Sequence, residues 1–177
     1  MKKSTWIART AICLALLVCL QFLTRSLSQL VTGSCVNLVL AMAALIGGVW
    51  SGVTVAALSP VFAKLLGIGP VWPLVPCVAL GNIVYAVLIA LLVSRSLEKR
   101  AAAAACGGAV AAALAKFFTL WLLIVKLAAP LIIPSAEALA KISVMFTWPQ
   151  LFTALTGGAL ACLIAPVVRK ALSGRAN

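Results

Sequence analysis

Acidic residues are almost missing from this chain: Glu98 and Glu137 are the only two among 177 residues, and there is no histidine at all. With them go most of the usual general acids, bases and metal ligands, so membrane enzymes that work through carboxylate pairs or a Ser/His arrangement fit poorly. Paired cysteines are missing too. Cys13, Cys19, Cys35, Cys77, Cys106 and Cys162 are scattered, with no C-x-x-C pair. Each reads as a small hydrophobe, and neither a disulfide nor a metal site is expected. What remains is 65% apolar. A soluble domain cannot hide that much apolar surface from water, whereas a bilayer is itself an apolar solvent.

Fourteen Lys and Arg give a formal net charge of +12. Such a balance raises nucleic acid as a partner, but the basic residues sit at the ends of apolar runs rather than on one solvated face. Charges placed there are topology signals, and no nucleic acid is expected. Met1-Lys2-Lys3 ahead of an apolar run has the form of a signal peptide, yet no A-x-A site follows and Ser26-Leu27-Ser28 is the best cleavage candidate. The first run therefore reads as a retained helix.

The apolar runs are separated by short breaks. Ile7 to Leu23 is the first, and Val36 to Leu66 the second. The second is long for one span of about 20 residues and short for two. Gly47-Gly48 near its middle favours a tight reversal. Gly67 to Pro73 reads as a loop, and Leu74 to Val93 as the next run, ended by the charged stretch 94–100. A run from Ala101 to Ala129 stops before Pro130 and Pro134, where Ser135 and Glu137 read as the N-cap and first turn of a short helix. Met145 to Val168 is the last run.

Charge decides between the two counts. The basic clusters are Lys2, Lys3 and Arg9; Arg95, Lys99 and Arg100; and Arg169, Lys170 and Arg175. If 36–66 is two helices, all three clusters face one side; if it is one helix, the middle cluster faces the other. The positive-inside rule favours the first arrangement. The expectation is an all-α membrane protein: one domain over 1–177, a bundle of six transmembrane helices at about 6–25, 35–48, 50–66, 74–93, 101–129 and 145–168. Both termini are expected in the cytoplasm.

Ala8, Ala11 and Ala15 lie three and four residues apart in the first run, on one helical face. Small residues let a second helix approach closely in lipid, within this bundle or from a partner. With its length, basic ends and this A-x-x-x-A pattern (Ala11-Ile12-Cys13-Leu14-Ala15), the chain resembles the S components of energy-coupling-factor (ECF) transporters. The stretches Leu45 to Pro60 and Pro149 to Gly158 resemble the same family.

The resemblance implies a subunit that binds a vitamin or similar micronutrient from outside. It also implies a transmembrane coupling subunit, two cytoplasmic ATPases, and toppling in the membrane to deliver the cargo. Ala11 and Ala15 match the alanines with which the family docks onto its coupling subunit. The family's pocket lies near the outer face, built from the last three helices and the outer loops. No ATP-binding motif occurs in this chain, and no cofactor is expected.

The residues themselves point to the same region. Lys116 sits deep in the fifth run, the most expensive place for a charge, and has no evident carboxylate partner. Backbone carbonyls or an anionic ligand are the candidates to complete its site. Thr119, Leu123 and Lys126 lie on a similar face at helical spacing, although Lys126 is equally able to snorkel to the interface. Asn82 and Tyr85 are one turn apart in the fourth run, where an Asn either joins helices or holds a ligand. Trp72 and Trp148 suit an interfacial aromatic belt, and lie near Gln150 and the Pro-rich loop, so that stacking on a solute stays open. Arg25 either anchors the interface or attracts an anion. The best reading is a solute-binding subunit in which loops 67–73 and 130–144 close over an outer pocket; a stand-alone carrier or structural membrane protein is the alternative.

Overall fold

The computed structural model describes residues 3–99 and 101–173, which leaves Lys2, Arg100 and Arg175 of the basic clusters outside the described residues. Those residues build helices and no strand. In chain order they are α1 (Lys3–Thr24), α2 (Gln29–Gly47), α3 (Val49–Leu65), α4 (Trp72–Glu98), α5 (Ala102–Ile132), the short α6 (Ala136–Met145) and α7 (Trp148–Ser173).

By length and composition, five segments are apolar enough to cross a bilayer: α1, α2, α4, α5 and the combined stretch Ala136–Ser173. Helix α3 is shorter, at 17 residues. At 1.5 Å per residue it reaches about 26 Å, just under the roughly 30 Å of a hydrocarbon core.

Local chemistry sets the joints. Ser28 caps α2 by accepting from the Val31 amide, so the helix starts at Gln29 rather than near 35. Ser135 does the same for α6 through the Ala138 amide. Helices α2 and α3 meet at one residue, Gly48, whose φ of 85° lies where only glycine is comfortable. Helix α5 runs past its expected end at 129, widening to π geometry over Trp121–Ala128 and stopping two residues after Pro130.

The core is made close by small residues, as suits helices that gain little from burying oil in a solvent of oil. Ala105, Ala109, Ala112 and Ala113 of α5 and Ala154, Ala161 and Ala165 of α7 are buried. The α2–α7 contact is close: a Cβ on Gly157 would stand 2.6 Å from the Asn37 Cβ, and one on Gly33 would stand 2.7 Å from the Thr153 Cγ2. Large apolar side chains such as Leu23, Trp50, Leu131 and Leu163 cover the outside instead.

The bundle has a basic end. Arg9 donates to the Ile46 carbonyl at 2.9 Å, and Arg169 donates to the Leu45 carbonyl at 3.1 and 2.6 Å. Two guanidinium groups thus sit on the negative end of the α2 dipole. Arg169 also donates to Ser94 Oγ at 2.7 Å and lies 3.9 Å from Glu98 Oε1. The described members of all three basic clusters therefore converge at this end. Nearby, the buried Thr10 hydroxyl meets Ser51 Oγ at 2.9 Å and pins α1 to α3.

Candidate functional site

At the opposite end the helices part around a cavity of about 290 Å³. It is lined by Gln21 of α1 and Arg25 just after it, from α2 by Thr32, Val36 and Asn37, and from α3 by Ser59 and Pro60. Val78 and Asn82 come from α4, Lys116 from α5, and Met145, Phe146 and Gln150 from the α6–α7 junction. Ile68, Gly69 and Pro70 of the loop after α3 complete it. The site draws on α1, α2 and α3 as well as on the last three helices, because α1 and α3 end and α2 begins at this level.

Lys116 is 2% exposed, and its ammonium donates to Asn37 Oδ1 at 2.6 Å. Asn37 is held in turn: its Nδ2 donates to the Gly33 carbonyl at 2.9 Å and to Thr153 Oγ1 at 3.1 Å. Gly33 and Gly157 create the close approach that makes this possible. The Lys116 Nζ also stands 5.5 Å from the centre of the Tyr85 ring, whose face attracts a cation. Tyr85 is fully buried beneath the cavity, with its hydroxyl donating to the Ala154 carbonyl at 3.1 Å.

No carboxylate is among the lining residues. Glu137 is exposed and paired with Lys141 at 2.6 Å, while Glu98 lies at the far, basic end. Asn37 thus fills one of the three donor sites of the Lys116 ammonium with a neutral acceptor, and no acid balances its charge.

The walls carry polar groups without protein partners. Gln21 is 3% exposed, and its Oε1 is shut off from solvent with nothing to accept from. Asn82, 3% exposed, and Ser59, 1% exposed, make no hydrogen bond to another described residue through their side chains. Gln21 Oε1 is thus an orphaned buried atom beside the cavity, and Asn82 and Ser59 leave lining groups without a described protein partner, which marks the cavity as a place where something polar binds.

Of the nine residues expected at the solute site, Lys116, Asn82, Gln150 and Arg25 line this cavity. Gln150 donates weakly to the Met145 carbonyl at 3.5 Å, and Arg25 lies at the rim with its guanidinium 4.5 Å from the centre of the Phe22 ring. Tyr85 supports the floor from below. Thr119 does not line the cavity, since its hydroxyl donates back to the Ala115 carbonyl at 2.8 Å. Lys126 is exposed and lies over Trp121, 5.0 Å from the ring centre. The π geometry of 121–128 breaks the 3.6-residue extrapolation from Lys116 to Lys126. Trp72 and Trp148 are exposed and outside the lining, Trp148 lying 6.0 Å from Phe117. Ala8, Ala11 and Ala15 all lie on the exposed side of α1.

Gln21, Asn37 and Ser59 are cavity residues that reading the sequence missed. The available signal was the one that singled out Asn82, a polar side chain inside an apolar run.

Neither a curated protein sequence nor a solved structure matches the chain. A family model described as "ECF transporter, substrate-specific component" matches residues 6–169. That family is a transporter component and not an enzyme family, and its members work with a transmembrane coupling subunit and ATPases. A match over nearly the full length, on a bundle of apolar helices, makes this multi-pass membrane protein a member of the ECF transporter substrate-specific components.

Proposed function

We propose that this substrate-specific component captures a vitamin or related small organic micronutrient that carries an anionic group, and that Lys116 receives that group. The observation that carries the reading is the Lys116–Asn37 pair at the floor of the cavity: a buried ammonium with a neutral partner and no carboxylate among the lining residues. A charge at that depth is costly until it is neutralised, and a solute carboxylate or phosphate neutralises it. Arg25 at the rim adds attraction for an approaching anion.

The orientation follows from charge. We place the basic end in the cytoplasm of a prokaryotic cell and the cavity toward the exterior, with six spans and both termini inside. The short α3 serves as the sixth span. Solute then enters past Arg25 and the loop containing Ile68, Gly69 and Pro70, which closes over it together with the α6–α7 region. The energy for release to the cytoplasm comes from two partner ATPases acting through the coupling subunit. The exposed Ala8, Ala11 and Ala15 face supplies the docking surface, because small side chains let a partner helix come close.

The test is to express the chain with and without an ECF coupling subunit and its ATPases, purify it, and record native mass spectra. The expected result is a retained acidic small molecule on the isolated subunit, together with co-purification of the ATPases when they are present. A subunit that retains no acidic molecule and never co-purifies with the module defeats the proposal.

A further inference from the structure

The cavity has two chemically different parts. One is the cationic floor, Lys116 on α5 held by Asn37 on α2. The other is a neutral polar set, Gln21 of α1, Ser59 of α3 and Asn82 of α4, each at least nine-tenths buried and each without a protein partner. An amide and a hydroxyl both donate and accept. Three such groups on three helices are matched by a solute whose body bears hydroxyls or amides, not by a plain hydrocarbon acid.

The rest of the lining limits the shape of the solute. Phe146 is the one aromatic side chain among the lining residues; Tyr85, Trp72 and Trp148 stay outside it. A flat conjugated ring is held best between aromatic faces, and the cavity offers no facing pair. The apolar remainder, such as Val36, Pro60 and Val78, suits aliphatic carbon. The volume of about 290 Å³ lies at the small end for ligand sites.

We propose that the solute is a small, non-aromatic carboxylate whose aliphatic body carries hydroxyl or amide groups, with its anionic end at Lys116 and its neutral polar groups at Gln21, Ser59 and Asn82. This rests on the cavity being the solute site. It goes further in assigning Gln21, Ser59 and Asn82 as the residues that choose among anionic solutes.

The experiment uses the purified full-length protein and three probe mixtures, read by native mass spectrometry with titration of whatever binds. The first holds gluconate, hydroxybutanoate and N-acetyl-β-alanine. The second holds benzoate, hydroxybenzoate and indoleacetate. The third holds the neutral amides of the first. Binding from the first mixture alone is expected, weakened about tenfold by Gln21→Leu or Asn82→Leu and about ten- to a hundredfold by Lys116→Met. Both Leu variants should melt no lower than the parent when empty, because each removes a polar group that has no protein partner; a structural role would lower the melting temperature instead. Binding from the aromatic mixture alone overturns this inference and leaves the anion reading standing. Binding from the neutral mixture that survives Lys116→Met overturns the anion reading itself. Binding from none of the three overturns this inference, while the anion reading stands or falls on the acidic molecule retained by the purified subunit. Gln21→Leu and Asn82→Leu variants that bind as the parent does remove the specificity role of the walls.

Discussion

Lys116 on α5 and Asn37 on α2 meet at 2.6 Å across a separation of 79 residues, and their hydrogen bond forms the floor of the cavity. Replacing Lys116 with Met keeps the length and removes the charge. Solute affinity should fall about ten- to a hundredfold, the effect of losing a charge-assisted contact worth about 1.5–3 kcal/mol. Thermal stability in detergent should hold or rise, because a buried charge is itself a cost. Titration calorimetry with the retained solute checks the first point, and an unchanged affinity would show that the lysine is structural.

The same pair gives a stability cycle. Asn37→Leu leaves the ammonium buried with no hydrogen-bond acceptor and should lower stability by about 1–3 kcal/mol. Adding Lys116→Met should restore most of that loss, since the orphaned charge is then gone. Denaturation of the parent, the two single variants and the double variant measures the coupling. Simple addition of the two single effects would mean that the residues act independently.

Arg169 secures the other end. Its contacts with the Leu45 carbonyl, Ser94 Oγ and Glu98 tie α7 to α2 and α4. Arg169→Met should cost about 1–3 kcal/mol by exposing unpaired acceptors at a helix terminus. Solute affinity, set at the opposite end, should change less than about twofold. A large loss of binding with no loss of stability would contradict this division.

Orientation is open to a direct measurement. A reporter fused after Glu98 should read as cytoplasmic and one fused after Gly69 as exterior. The same side for both, or the reverse pattern, rules out the six-span arrangement.

Docking is separable from binding. Ala11→Trp and Ala15→Trp add bulk to the exposed side of α1, away from the cavity. Uptake in cells that carry the coupling module should be abolished while solute binding to the purified variant persists. Normal uptake by both variants takes the docking surface elsewhere.

Much of this was legible in the sequence where one residue decides the local structure. Gly47-Gly48 marked the reversal between α2 and α3, and Ser135 with Glu137 marked the start of α6. Lys116 and Asn82 stood out because a polar group within an apolar run is expensive. What stayed hidden depends on distance through space. Asn37 looked like one polar residue in an oily helix until Gly33 and Gly157 brought α7 against it. Gln21 and Ser59 gained meaning only as neighbours around one void. Lys126 was placed by a uniform helical period, and the widening of α5 over 121–128 has no marker in the run Trp121 to Ala128.

The backbone-close packing of α2 on α7 has one more consequence. Asn37 is fixed by Gly33, Thr153 and Gly157, so the cost of arranging the partner of Lys116 is met during folding and not at capture. The side chains at 21, 59 and 82 have no such obligations to the rest of the protein. Exchanging them is the least disruptive route by which this scaffold acquires a taste for a different solute.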